Sequence, residues 1–373
     1  MIFHIKRALL SEELSRLQSV VSKKNTIPIL NYVRIQSDNH RIKLVATNLE
    51  TTIYSEAQTD IVEVQGTICA PAKQLFDISK QLPEGLVRIE KTDENGLLRV
   101  SCGRTKYKIQ SADPSSFPEV PDTSELSWMD ISAKIPRTML AGVACAVAPD
   151  EDARYTLRGA KFEMDGTEIR MVSTDGHRLC LASAPLEAML PDDLDAILPA
   201  EGMADLNRLI GEQEGVVGVA LNDNKIFFRF GNRHLACGLL TGQYPEYQKL
   251  LATVEGYEAF GTFKADDLTR SIRRVSLTAD ESQTLRMLFE NQQLFLRTQK
   301  AEAGECEEIL QSDFNGETTK IGCNVKYAVD FTSGLGSAPI RVELKEALSP
   351  IHMRVSKDGV ALRYLLMPMR VID

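Results

Sequence analysis

No run of this chain is long and apolar enough to span a membrane, and its start, Met1-Ile2-Phe3-His4-Ile5-Lys6-Arg7, lacks the apolar core of a signal peptide. Both absences point to a protein of the cytoplasm with no membrane contact. No CxxC pair occurs. The seven cysteines (Cys69, Cys102, Cys145, Cys180, Cys237, Cys306 and Cys323) are scattered and odd in number. Such a set reads as reduced thiols, not as a disulfide frame or a zinc site. The five histidines show no metal-ligand spacing, and GxxxxGK[ST], GxGxxG, HExxH and GxSxG are all missing. No nucleophile is assembled with a base, so the chain reads as a non-enzyme that needs no cofactor.

Low-complexity tracts are absent as well, and 43% apolar with 25% charged residues is ordinary for a globular protein. At 373 residues the chain exceeds one ordinary core and implies two or three domains. Its net charge of −9 argues against a simple nucleic-acid binder, unless cations gather locally. Two segments carry an alternative. Asp150-Glu151-Asp152 with Asp175 could bind magnesium for phosphodiester chemistry, against the plainer reading of a solvated loop after a helix ending near Ala148. Gly334-Leu335-Gly336-Ser337 could cradle a phosphate, against the plainer reading of a helix C-terminus and turn.

What the chain does contain is a pattern that comes round three times, about a third of the chain apart. Amphipathic segments carry Leu14, Leu140 and Leu268 at matching places. Strand-like segments follow at Ile42–Thr47, Ile169–Thr174 and Leu294–Thr298, and the copies end at Phe117-Pro118, Tyr244-Pro245 and Met367-Pro368. Several landmarks in step indicate a triplication. Within the first copy, strand–helix–strand–strand–strand occurs twice, with helices over Ser11–Ser22 and Ala72–Leu82, so six such modules are expected. The boundaries fall in the acid- and Pro-rich stretch Pro114–Leu126 and in Thr253–Ala259, giving domains 1–126, 127–257 and 258–373. The expected class is α+β: three similar domains, each with two helices packed on antiparallel sheets.

Charge is unevenly placed. A helix over Lys264–Ala279 puts Arg270, Arg273 and Arg274 on one face, opposite Leu268, Ile272 and Val275. Lys73 and Lys80 share a helix face, and Lys23-Lys24 end the preceding helix. Each cluster alone suits a solvated face; on repeated helices lining one surface they would sum to a basic stripe that follows phosphates without reading bases. Arg104, Lys106 and Lys108 alternate along one strand, while Glu302, Glu305, Glu307 and Glu308 surround a segment of the third copy. Opposite charges on two ends of one chain suit head-to-tail association, which closes into a ring if the rotation allows.

With the repeat, Thr26-Ile27-Pro28-Ile29-Leu30, Thr174-Asp175-Gly176-His177-Arg178-Leu179 and Tyr364-Leu365-Leu366-Met367-Pro368-Met369-Arg370 in place, the chain resembles the bacterial sliding clamps, the β subunits of DNA polymerase III, over essentially its whole length. The resemblance implies the DNA-clamp fold. Two chains would form a head-to-tail dimer ring around double-stranded DNA, acting as a processivity factor. It also implies DNA-facing Lys24, Lys73, Lys80, Arg137, Arg154 and Tyr155, to which helix spacing adds Arg270 and Arg273. A hydrophobic peptide-binding cleft maps to Leu157, Thr174, Gly176, His177, Arg178, Leu179, Pro245, Leu250, Leu365, Leu366, Met367, Pro368, Met369 and Arg370, with Arg178 and Arg370 as polar rim groups. The implied cleft partners are the polymerase III α subunit, the clamp loader, and other polymerases and repair factors. At the implied dimer seam, Arg104 and Lys106 face Glu302, Glu305 and Glu308, with Tyr107 and Leu277 as apolar partners. Pro199-Ala200-Glu201 departs from the basic character of relatives, and Lys249 stands where they often carry Arg.

Overall fold

The computed structural model describes residues 1–21, 27–91, 96–149, 154–186, 194–222, 224–300 and 304–371. Alternating burial builds its strands. Leu294, Leu296 and Thr298 are buried along one segment with half-buried Phe295 and exposed Arg297 between them, and Phe3 and Ile5 flank half-buried His4 near the start. Helices follow the longer period: Leu10, Leu14 and Leu17 are buried on one, Leu268, Ile272 and Val275 on another.

Six strand–helix–strand–strand–strand modules succeed one another. The first is β1 (Ile2–Lys6), α1 (Arg7–Leu17), β2 (Tyr32–Asp38), β3 (Arg41–Thr47) and β4 (Thr51–Gln58). After a short β5 (Ile61–Val64) comes the second: β6 (Gly66–Pro71), α2 (Ala72–Gln81), β7 (Leu86–Lys91), β8 (Leu97–Cys102) and β9 (Thr105–Gln110). The third is β10 (Met129–Ser132), α3 (Lys134–Val143), β11 (Gly159–Asp165), β12 (Glu168–Thr174) and β13 (Arg178–Pro185). The fourth is β14 (Leu194–Pro199), α4 (Ala200–Ile210), β15 (Val216–Asn222), β16 (Lys225–Phe230) and β17 (Arg233–Gly238), followed by a short α5 (Tyr247–Ala252). The fifth is β18 (Ala259–Lys264), α6 (Ala265–Val275), β19 (Thr284–Glu290), β20 (Gln293–Lys300) and β21 (Gly304–Gln311). The sixth is β22 (Thr319–Asn324), α7 (Val325–Thr332), β23 (Pro339–Leu344), β24 (Ile351–Lys357) and β25 (Val360–Leu366). Leu14, Leu140 and Leu268 are all buried, but not all at matching places: Leu14 and Leu140 stand eight residues after the ends of β1 and β10, Leu268 only four after β18, and the residue of α6 that matches the first two is the buried Ile272.

All pairing is antiparallel, and modules exchange their leading strands two by two. β1 joins β7 and β6 joins β2; β10 joins β15 and β14 joins β11; β18 joins β23 and β22 joins β19. The contacts divide the chain into two compact units. One comprises Met1–Ala133 with Ala204–Leu239, the other Lys134–Met203 with Leu240–Asp373. The first holds a five-stranded sheet, β5-β1-β7-β8-β9, and an eight-stranded sheet, β10-β15-β16-β17-β4-β3-β2-β6. The second holds an eight-stranded sheet, β14-β11-β12-β13-β25-β24-β23-β18, and a four-stranded sheet, β21-β20-β19-β22. The modules of stretch 127–257 are shared between the two units. Each eight-stranded sheet is continuous because two last strands of modules pair, β4 with β17 and β13 with β25. The other two last strands, β9 and β21, end their sheets.

Two expectations shift. The first helix starts at Arg7, directly off β1, and not at Ser11: Lys6 at its N-cap makes no side-chain cap hydrogen bond, so no polar signal marks the start. The helix expected over Lys264–Ala279 is α6 plus a 3-10 turn, Ser276–Thr278. All seven cysteines are free. Among the described residues no helix is long and apolar enough to cross a membrane.

Candidate functional site

The turn between β12 and β13 braces itself. Thr174 Oγ1 donates to the Arg178 carbonyl at 2.7 Å and accepts from Gly176 N at 3.2 Å. Asp175 Oδ1 accepts from the backbone N–H of His177 at 2.9 Å and of Arg178 at 3.1 Å. Gly176 has φ +91°, a conformation that favours glycine. Arg178 then reaches from the turn into α7. Its Nε donates to Asp175 Oδ2 and its terminal nitrogen to Asp330 Oδ2, each at 2.9 Å, while the guanidinium lies 4.1 Å from the centre of the Tyr327 ring. Burial opposes the charge, but the hydrogen bonds to Asp330, Tyr364 and Asp175 hold its pKa above the ordinary range. Only 8% exposed, Arg178 is an interior strut and not the polar rim group expected. Both carboxylate oxygens of Asp175 already accept hydrogen bonds within this turn; Asp150, Glu151 and Asp152 lie outside the described residues. Among the described residues no acid, His and Cys cluster could hold a metal.

Behind the turn, β13 pairs with β25 so that Leu179 stands opposite Leu365 and Arg178 opposite Leu366. Leu157, Leu179 and Leu365 join one apolar cluster with Val172, Leu181 and Tyr244, and half-buried Leu250 packs against it from α5. A hydrogen bond from Tyr247 Oη to Glu163 anchors α5 to the sheet. Pro245 is half-buried beside Tyr244. Leu365 and Leu366 are fully buried, so they make floor and not contact surface.

The tail continues over this region. Met367 N donates to the His177 carbonyl at 3.0 Å, and the His177 ring stacks on Tyr327 with centroids 6.3 Å apart. Met367, Pro368 and Met369 are half-buried and Arg370 is exposed. Met369 N donates to the Gly322 carbonyl at 2.8 Å. A Cβ at Gly322 would lie 2.7 Å from both the Met369 carbonyl oxygen and Val371 Cγ2, closer than real contacts allow. Gly322→Ala is therefore expected to lift the tail from β22 while leaving the sheets folded. Hydrogen exchange at Met369 should rise at least tenfold; unchanged protection there would refute this account. Gly322, Tyr327 and Asp330 escape sequence reading because they lie far along the chain, with no motif to tie them to the turn; Arg178 and Asp330 are 152 positions apart.

The expected cationic residues are placed as follows. In the first unit Lys73 pairs with Asp77 at 2.8 Å, and the Lys80 ammonium sits 5.1 Å from the centre of the Phe76 ring. Lys24 lies outside the described residues. In the second unit Arg137 is half-buried on α3, while Arg154 and Tyr155 are exposed. Arg270, Arg273 and Arg274 all face solvent from α6, Arg270 pairing with Asp267.

Of the residues expected at a seam, Arg104 sits in the turn before β9 and Lys106 is exposed on that edge strand. Tyr107 lines a cavity of about 660 Å3 with Ile78, Gln74 and Lys73. On β21, Glu305 is exposed. Glu308 accepts from Arg274 Nε at 2.8 Å and from Ser271 Oγ at 2.6 Å, so it is already paired within its own chain. Glu302 is outside the described residues. Leu277, in the turn after α6, is 83% exposed.

Three family models match in order: DNA polymerase III beta subunit, N-terminal domain, over residues 1–121; central domain over 130–246; C-terminal domain over 255–370. The chain is 29% identical to the beta sliding clamp of Pseudomonas aeruginosa and 28% to that of Haemophilus influenzae, each covering 100% of both chains. A Pseudomonas aeruginosa clamp bound to griselimycin superposes with a TM-score of 0.91 at 28% identity, again over 100% of both chains. The Bacillus subtilis clamp shares the fold at a TM-score of 0.92 and 23% identity, also over 100% of both chains. The chain thus belongs to the DNA polymerase III beta subunit family, the bacterial sliding clamps that act as processivity factors for DNA polymerase.

Proposed function

We propose that two copies of this chain close head to tail around duplex DNA, as a cytoplasmic, non-catalytic ring built from domains 1–126, 127–257 and 258–373. One observation carries the ring: last strands pair by a rule. β4 of an odd module meets β17 of an even one, and β13 of an odd module meets β25 of an even one. What remains is β21, odd, and β9, even, both at sheet edges. The same rule seats β9 of one copy on β21 of the next, and the second such pairing closes the ring. Lys106 and Lys108 on one edge against Glu305 and Glu307 on the other favour this pairing and repel β9–β9 or β21–β21 contact. Leu277 would enter the partner's cavity beside Tyr107, with Arg104 near the acidic edge.

Retention by topology needs no tight contact with bases, only screened attraction from cations such as Arg270, Arg273, Arg154 and Lys80. The turn Thr174–Arg178, the cluster around Leu157 and Leu179, and the tail through Arg370 together form the reading's peptide cleft. Its apolar floor, with Met367 and Met369 beside it, suits the Leu- or Phe-type anchors of short segments from the polymerase III α subunit, the clamp loader and other polymerases or repair factors.

Retention on circular DNA, with a clamp loader and ATP supplied, tests the ring. The protein should stay on the circle and be lost once the circle is cut. Salt-sensitive binding indifferent to ends would refute encirclement, and absence from both forms would leave a partner-binding scaffold.

A further inference from the structure

On the sheet face that carries Leu179 and Leu365, three arginines stand opposite one another on adjacent strands. Arg341 of β23 is in register with Arg354 of β24, and Arg354 with Arg363 of β25. Like charges placed so are destabilising, and a row of them needs compensation. The neighbouring row supplies one buried carboxylate, Glu343, opposite His352. Glu343 accepts from Arg341 Nε at 2.8 Å, stands 3.6 Å from Arg354, and lies 2.7 Å from His352 Nδ1. Arg363 Nε donates to His352 Nε2 at 3.2 Å, which leaves the imidazole proton on Nδ1. Burial and the charges of Arg363 and Arg354 push the His352 pKa down to about 4, so the ring adds no charge at neutral pH. Among the described residues, the carboxylate that Arg363 itself reaches is Glu255, 4.0 Å away. The buried Glu343 thus serves Arg341 and Arg354, and the exposed Glu255 faces Arg363. Arg341, spread over the Phe260 ring at 3.4 Å, and Arg354 remain 42% and 57% exposed.

The row is continuous with the apolar cluster. Arg363 is in register with Leu181, a member of that cluster, and lies two residues before Leu365. Helices pack on the other face of the sheet: a Cβ at Gly142 of α3 would meet Leu362, and Phe331 of α7 stacks on Tyr364 at 4.3 Å. A cationic strip beside an apolar cleft, turned away from the helices, fits a peptide better than a nucleic-acid backbone. We propose that the Arg341–Arg354–Arg363 row is an anion-recognising extension of the cleft, taking carboxylates of acidic residues that flank the apolar anchors of a partner segment. The assignment rests on the peptide-cleft reading above.

Two labelled peptides with the same Leu and Phe anchors, flanked on both sides by Glu or by Gln, separate the two readings by fluorescence anisotropy on the full-length protein. The Glu-flanked peptide should bind about three- to tenfold tighter at low salt, and that margin should shrink as salt rises. In the double variant Arg341→Gln, Arg354→Gln the margin should vanish while the Gln-flanked peptide binds as before; Lys at both positions should restore most of it. Equal affinity for the two peptides in the parent protein, or equal weakening of both in the double variant, overturns the proposal with the cleft intact. Failure of the Gln-flanked peptide to bind overturns the cleft and the extension together. Competition by a duplex oligonucleotide against the Glu-flanked peptide alone would reassign the row to nucleic acid.

Discussion

Replacing Glu13 by alanine is expected to destabilise the first unit by about 3–5 kcal/mol, the usual cost of stranding one partner of a buried ion pair. Glu13 is 1% exposed, on the inner face of α1. Its Oε1 accepts from an Arg233 terminal nitrogen at 2.7 Å and its Oε2 from Arg233 Nε at 3.2 Å and from Ser55 Oγ. Arg233 opens β17 and Ser55 lies opposite it on β4, so this one carboxylate spans the junction that makes the eight-stranded sheet continuous. Alanine leaves the guanidinium buried with only Glu12 at 3.3 Å. Calorimetry should show a fall on the order of 10 °C, with faster hydrogen exchange in β4 and β17 and none added in β24. Glu13→Leu with Arg233→Met should recover most of the loss, because it removes both charges. A loss below about 1 kcal/mol, or no recovery in the double variant, would show that the pair does not carry the junction.

Leu277→Asp should weaken the dimer sharply without unfolding the chain. A leucine 83% exposed gives nothing to the stability of its own chain, so its substitution leaves unfolding unchanged. If it fills the partner's cavity beside Tyr107 and Ile78, it behaves as an anchor worth about 2–4 kcal/mol, and a buried carboxylate there costs more. Sedimentation equilibrium should show a dimer Kd at least thirtyfold higher, about 2 kcal/mol, alongside a normal thermal transition. An unchanged Kd would remove Leu277 from the seam and leave the strand-edge charges to account for association.

The repeat, the module order and most strands were legible because they rest on periodic burial: Leu294, Leu296 and Thr298 alternate, and Leu268, Ile272 and Val275 recur at helical spacing. What could not be read was whatever depends on pairing far along the chain. Nothing local in Ile2–Lys6 says that it joins Leu86–Lys91 and not its own module. Arg178 illustrates the same gap at the site. The family resemblance made it a polar rim group of the cleft, but Asp330 and Tyr327 draw it inward, and only the fold brings them near. β5 and α5 were missed for a further reason: each lies outside the module pattern, held by β1 in one case and by Tyr247 with Glu163 in the other.

Exchange of leading strands and late closure of the long sheets bear on how the molecule is made. Thr51 of β4 and Cys237 of β17, whose side chains meet, are 186 positions apart. At about 5–20 residues per second, a ribosome delivers β17 roughly ten to forty seconds after β4 has emerged. Until then β4 is an open strand on a nascent chain, and the carboxylate of Glu13 waits without its guanidinium. Translation speed between these two strands thus sets how long the half-made sheet is exposed to other nascent chains on the same message.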